Sequence, residues 1–366
     1  MPSFLITASV CFLFLPLGAG AGSTAPHSAR VAGSPSGQPE SKTRTRGFSP
    51  LDAPAAIRPE WAGLIGDYGA SRQRLNVFER GGELEVLRAG ARAAALHPIG
   101  ADTFQISGHG SSRQSKLTFL RNPQGVVTGV CSGGVLLSRS PGTSPGEIFQ
   151  ITPLRSIDEL RREALAARPP SEPGRFLKPD LVDVTALDPE IKLDIRYAGS
   201  RNFMGAPLYS EGRAFLQRPA AEALAAASGR LQAMGYGLLV YDAYRPWYVS
   251  RMFWDGTPKD KRIFVAKPSM GSRHNRGCAV DLTLYDLKTG QPVQMTGGYD
   301  EMSERSYPDY PGGTSLERWH RDLLRHVMED EGFTVHRYEW WHFDFKGWRR
   351  YPILNLSFEK LDRRGG

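Results

Sequence analysis

Apolar and polar positions change period along this chain, and the change divides it. Between Trp61 and Arg139 short apolar runs at 75–78, 83–87, 103–106, 116–120 and 126–130 are separated by Gly81-Gly82, Gly100, Gly108 and Asn122-Pro123-Gln124-Gly125. Short strands broken by turn residues at this spacing predict an antiparallel β meander or small barrel. Residues 157–167 have helical spacing, and the Pro/Gly-rich stretch 168–174 ends it. Beyond it the pattern predicts strands at 181–184, 192–197, 237–241 and 340–345. It predicts helices at 218–234, where alanine dominates, and at 315–331. Helices and strands mix without a regular βαβ repeat, so the expected class is α+β, with a small all-β domain in front.

The first 58 residues fit neither pattern. Phe4 to Leu17 is an apolar run of signal-peptide length followed by Gly18-Ala19-Gly20-Ala21-Gly22, and export to the periplasm or medium is expected, with no membrane span in the mature chain. Residues 23–58 are rich in Ser, Pro, Gly and Arg and read as a solvated spacer. The expected organisation is therefore a leader at 1–22, a spacer at 23–58 and a β domain at 59–142. A helical, Pro-rich linker follows at 143–175 and a catalytic domain at 176–366.

Composition changes this picture in two places. The 366 residues are 40% hydrophobic and 23% charged, which excludes a disordered, collagenous or multi-span membrane protein. Lys and Arg number 46 against 38 Asp and Glu, a net +8 scattered along the chain. That charge would suit anionic wall polymers, but no nucleic-acid-binding signature accompanies it. Three cysteines form no Cys-x-x-Cys pair, so any metal must be held by His and carboxylates.

The residues that could do so lie late in the chain. In Ser272-Arg273-His274-Asn275-Arg276-Gly277-Cys278-Ala279-Val280-Asp281-Leu282-Thr283-Leu284 the second half alternates as a half-buried strand, placing Asp281 off the core face. Gly277 lets the chain bend between His274 and that strand. Glu339-Trp340-Trp341-His342 offers a second imidazole and a second carboxylate. Two His and one Asp form a three-ligand set for catalytic zinc, with Glu339 as base for the attacking water. On a flat strand residues three apart face opposite sides, so the chain must begin, bulge or kink near Trp340-Trp341 for Glu339 and His342 to reach one metal. His97 and His109, without carboxylates around them, read as structural, and Cys278 among small residues reads as packing.

Together Ser-x-His-x6-Asp and Glu-Trp-Trp-His resemble the zinc-dependent D-alanyl-D-alanine dipeptidases of the vancomycin-resistance type. Asp194-Ile195-Arg196-Tyr197-Ala198, Asn202-Phe203, Asp242-Ala243-Tyr244-Arg245-Pro246 and Met302-Ser303-Glu304-Arg305-Ser306 look like further family blocks in family order. The resemblance runs from about Leu181 to Tyr351. It implies one Zn2+ on His274, Asp281 and His342, with Glu339 as general base and Arg245 stabilising the oxyanion. It also implies Asp300 as receiver of the substrate ammonium, with Ser272 and Tyr197 lining the substrate pocket. The sequence departs from the family at Ser303, where an acid is usual, and at Cys278, in a small-residue slot. The front β domain loosely resembles one appended to penicillin-binding serine hydrolases. Serine chemistry is disfavoured all the same: the only Ser-x-x-Lys, Ser357 to Lys360, lies in the C-terminal tail without evident partners.

Three functions fit these residues. A zinc dipeptidase cleaving D-alanyl-D-alanine or similar dipeptides leads. A D,D-carboxypeptidase or wall-peptide endopeptidase would share the zinc site but need an open cleft. A non-catalytic wall-binding module would retain the fold alone.

Overall fold

The computed structural model describes residues 52–70, 73–107, 115–142 and 147–362. The expected leader, most of the spacer and His109 lie outside them.

The first part is an eight-stranded antiparallel meander in chain order: β1 (Gly66–Tyr68), β2 (Leu75–Arg80), β3 (Glu83–Arg88), β4 (Ala94–Pro98), β5 (Thr103–Ile106), β6 (Ser115–Arg121), β7 (Val127–Ser132) and β8 (Val135–Ser138). A bridge between Tyr68 and Arg139, with Gly69 N–H donating to Ser138 O at 2.7 Å, returns the last strand to the first. The inward positions Leu75, Val77, Val86, Phe104, Leu117, Phe119 and Val130 fill one small core. His97 is exposed, with no role in a site.

In the second part, β9 (Leu181–Asp183) and β11 (Phe215–Gln217) pair as a two-stranded sheet, and strands β10 (Lys192–Leu193), β12 (Tyr236–Asp242), β13 (Ala279–Asp286), β15 (Glu339–Phe345) and β14 (Phe333–His336) lie side by side in that order. Only β10 and β12 are parallel. Helices Arg218–Gln232 and Ser315–Asp330 cover one face. Their Leu224, Ala227, Leu231, Leu323, Leu324 and Val327 pack with Val240, Leu282, Leu284 and Phe343 in the main core. The second helix begins with a capping box, Thr314 Oγ1 accepting from Glu317 N–H and Glu317 accepting from Thr314 N–H. Sheet and helices together make this part α+β.

Two expectations need correction. The strand expected at 192–197 stops at Leu193, and Arg196–Ala198 form a tight helical turn. Asn202 holds that turn, its side-chain amide donating to Arg196 O, Gly199 O and Ala206 O, so Tyr197 leaves the sheet line and turns inward. The segment expected as linker is also more than a tether. Its helix, Ile157–Ala166, puts Leu160 and Ala164 into the main core, and Glu172 accepts from Ile353 N–H and pairs with Arg276.

The two parts dock through buried polar groups. Glu79 accepts from Ser315 N–H at 2.6 Å, at the start of the Ser315–Asp330 helix, while Tyr310 donates to Asp67 at 2.8 Å and receives from Asn76 at 2.7 Å. The described residues accordingly form one compact unit.

Candidate active site

β13 supplies the first carboxylate. Val280, Leu282 and Leu284 face the main core as the alternation requires, yet Asp281 and Thr283 on the other face are buried as well. That face is roofed by Tyr241, Tyr285 and Tyr299. His274 sits on a short turn ahead of the strand. Gly277 closes the turn at φ 65°, a left-handed conformation that glycine adopts without strain, and a Cβ there would lie 2.3 Å from Leu181 Cδ2. The chain reverses there, so imidazole and carboxylate meet.

β15 brings the rest. His342 lies opposite Asp281 in the sheet. On the other side the register with β14 shifts: Val335 pairs with Phe343, but the next residue, His336, pairs with Glu339. The extra residues of β15 form the bulge that the Glu-Trp-Trp-His spacing demanded, and Glu339 Oε2 stands 3.6 Å from His342 Nδ1.

The donor atoms converge. His274 Nε2 lies 3.0 Å from His342 Nδ1 and 3.2 Å from Asp281 Oδ1, which is 3.0 Å from His342 Nδ1. Each imidazole has its remote nitrogen engaged, His274 Nδ1 with Ala243 O at 2.6 Å and His342 Nε2 with Asp344 Oδ1 at 2.9 Å. With those nitrogens protonated, the facing nitrogens present lone pairs. Asp281 Oδ1 is buried and has no hydrogen-bond partner. Three lone-pair atoms crowded together in a buried place repel unless a cation sits among them. Ligands about 2.0–2.2 Å from a tetrahedral zinc stand roughly 3.3–3.6 Å apart, close to the spacing found. The residues present therefore fit a zinc ion, and they form the metal-compatible cluster found among the described residues.

Electrostatics around the cluster divide the carboxylates. Burial would raise Asp281, but where His274 and His342 are protonated their charge outweighs it and holds the carboxyl well below its usual range. Burial pushes Glu339 up to about 7, and burial with the Asp281 charge raises Asp300 well above its ordinary value. Arg245 is buried, which alone would favour its neutral form, but Asp242 beside it keeps it firmly charged. Asp242 accepts from Arg245 Nη2 at 2.6 Å and from Nε at 2.9 Å, and also from Tyr209 and Ala243 N–H. The guanidinium lies 4.6 Å from the Phe253 ring centre and 3.6 Å from Asp281.

Asp300 has φ 58°, the one non-glycine residue in the left-handed region among those described. It accepts from Tyr197 Oη at 2.8 Å. Ser303 accepts from Arg305 N–H as a helix cap, as an acid could, and donates to Glu301 at 2.7 Å, which an ionised acid could not. Ser272 Oγ accepts from His274 N–H, while Asn275 Oδ1 accepts from Ser272 N–H. Cys278 is buried beside the site, its thiol pushed up to about 12 by that burial, and it and Cys131 are free.

The residues singled out in the sequence as candidate site residues meet in one pocket. Tyr197, Arg245, Ser272, His274, Asp281, Asp300, Glu339 and His342 line a cavity of about 130 Å3, closed by Phe203, Phe253, Phe264 and Trp341. A D-ala-D-ala dipeptidase family model matches residues 178–356, the span that supplies every one of them. D-alanyl-D-alanine dipeptidase of Escherichia coli (strain K12) is 36% identical over 179 residues, 49% of this chain and 91% of the relative. The chain belongs to the D-Ala-D-Ala dipeptidase family. The enzymes of the same name from Enterococcus faecalis (strain ATCC 700802 / V583), 36% identical over 42% of this chain and 85% of theirs, and from Enterococcus faecium, 35% over 46% and 91%, agree. It is an enzyme, a dipeptidase, and the match leaves the eight-stranded module outside it.

Five residues of this dipeptidase site escaped the sequence reading. Asp242 and Asp344 were visible only as strand-end acids, and their partners Arg245 and His342 become apparent once the sheet is built. Asn275 donates to Arg245 O and Ser250, tying the turn that carries His274 to the segment that carries Arg245. Tyr299 donates to Asp281 Oδ2 at 3.0 Å. His336, held neutral by burial that lowers it to about 3, lies across from Glu339, their nearest atoms 3.6 Å apart. A His-x2-Glu pair on a hairpin was the one local signal available for it.

Proposed function

We propose that this dipeptidase hydrolyses D-alanyl-D-alanine, or a dipeptide of similar size, with one zinc ion held by His274, Asp281 and His342. The observation that carries the reading is the convergence of three lone-pair atoms and a raised carboxyl in one small pocket. Zinc there would supply Lewis acidity, polarising the scissile carbonyl and making a water acidic enough to attack. Glu339 takes that water's proton and returns it to the leaving amine; a carboxyl raised toward neutrality is suited to both directions. Arg245, locked by Asp242, presents a fixed positive charge for the oxyanion. Asp300 receives the free ammonium of the substrate, whose charge would draw the carboxyl back to its ionised form. Ser272 offers a hydroxyl to the same ligand, and Tyr197 holds Asp300 in place.

Pocket size separates this reading from its neighbour. A cavity of about 130 Å3 is well below the roughly 300 Å3 at which drug-sized pockets begin. A wall-peptide endopeptidase or D,D-carboxypeptidase needs room for a longer acyl side, so a small pocket favours the dipeptide. The test is a comparison of D-Ala-D-Ala with its N-acetylated form, alongside zinc analysis of the wild type and Glu339→Gln. The free dipeptide should be cut and the blocked one spared, while E339Q keeps its zinc and loses about 10²–10⁴-fold in turnover. Equal cleavage of the blocked form would end the dipeptidase assignment. Export, expected from residues 4–17, belongs to the same reading, since the dipeptide would then be met outside the cytoplasm.

A further inference from the structure

Asp281 has two oxygens in different surroundings. Oδ1 faces both imidazoles, whereas Oδ2 accepts the proton of Tyr299 Oη at 3.0 Å and lies 3.6 Å from Arg245. Tyr299 Oη is also 3.2 Å from Tyr197 Oη, which donates to Asp300. The ring that carries this hydroxyl cannot readily swing away: its centre lies 4.6 Å from that of Tyr241 and 5.5 Å from that of Trp341. Because Asp300 is left-handed, the neighbouring side chains part. Tyr299 reaches the carboxylate of the ligand set, and Asp300 turns to Tyr197.

We propose that Tyr299 is a positioning residue whose hydroxyl occupies Asp281 Oδ2, so that the carboxylate offers the metal one oxygen only. This rests on the zinc dipeptidase reading. A carboxylate with both oxygens available can clasp a metal through two atoms and fill the position a substrate oxygen needs. A donor fixed on the second oxygen prevents that. Removing the hydroxyl also leaves Arg245 as the nearest charge, inviting it away from Asp242.

The test is Tyr299→Phe, which keeps the packed ring and deletes one oxygen, in the full-length protein loaded with Zn2+ and separately with Co2+. Zinc affinity, measured by chelator competition, should fall about 10–100-fold, as for other groups that orient metal ligands. The visible absorption of the Co2+ form should change in intensity, reporting an altered coordination number. For D-Ala-D-Ala, kcat should fall by more than KM changes. The thermal midpoint of the metal-free variant reads the cost of the lost buried hydrogen bond by itself, and the changes in zinc affinity and in the Co2+ spectrum should go beyond it. If zinc affinity and the Co2+ spectrum are those of the wild type, the proposal is overturned, and so too if only the metal-free midpoint moves. Failure of the wild type itself to bind zinc or cobalt would instead remove the reading beneath it.

Discussion

Glu339 shows how one residue's surroundings set its chemistry. Buried beside a cluster of ligands, its carboxyl is pushed up to about 7, whereas Asp281 a few ångströms away is driven in the opposite direction by two imidazoles. Only the ionised carboxylate can take a proton from water, so activity should be present above the Glu339 pKa and lost as pH falls through it. A bound cation favours the ionised form, which places the acid limb of kcat/KM at or somewhat below 7. A pH profile flat from 5 to 8 would remove Glu339 as base. Asp344 acts one step further out. By accepting from His342 Nε2 at 2.9 Å it leaves Nδ1 as the nitrogen free for a metal, and Arg273 at 3.3 Å keeps it company. Asp344→Asn can present the wrong amide group to that nitrogen and removes a charge; zinc affinity by chelator competition should drop about 10–100-fold with little loss of thermal stability.

At the level of elements the site depends on two irregularities, the glycine turn before β13 and the bulge in β15. Gly277→Ala forces a left-handed alanine and a Cβ 2.3 Å from Leu181, at a cost of order 1–3 kcal/mol. The melting temperature and zinc affinity should fall together, because the same turn aims His274; a variant that melts like the wild type would show the turn to be slack. Much of this was legible beforehand. Alternation at 280–284 and helical spacing at 218–234 and 315–331 reported the elements, and the impossible facing of Glu339 and His342 on a flat strand demanded the bulge. What stayed hidden needed partners distant in sequence. Tyr197 reads as the end of an apolar run, and only Asn202, five residues on, shows why the strand stops. Asp281 looks half-exposed because alternation reports which face meets the main core, not what covers the other face. Tyr299, Asp242 and Asp344 carry no local signature, since each works through a side chain brought in by another strand or loop.

At the scale of the whole described molecule, two apolar cores lie on either side of a boundary made of polar groups. The parts are joined by groups that neither could leave buried alone: Glu79 holds the first turn of the Ser315–Asp330 helix, and Arg318 Nη2 returns to Glu79 O at 2.6 Å. Asp67, Asn76 and Tyr310 form a second buried knot. Such networks cost stability when half broken, because the stranded partner has lost water as well as its bond. The same helix packs Leu323, Leu324 and Val327 beneath the sheet that carries Asp281 and His342, so the module bears on the catalytic core through one element. Glu79 is absent from the pocket lining, and its removal should leave the chemistry alone. Glu79→Ala deprives Ser315 N–H, Ser315 Oγ and Gly82 N–H of their acceptor. We expect a loss of about 1–3 kcal/mol in stability, read as a lower denaturant midpoint. The unfolding trace should also broaden or split as the two cores lose their coupling. In native buffer kcat and KM for the dipeptide should match the wild type. A sharp, unshifted transition would mean that the two parts only touch, while a large change in KM would mean that the module shapes the pocket itself.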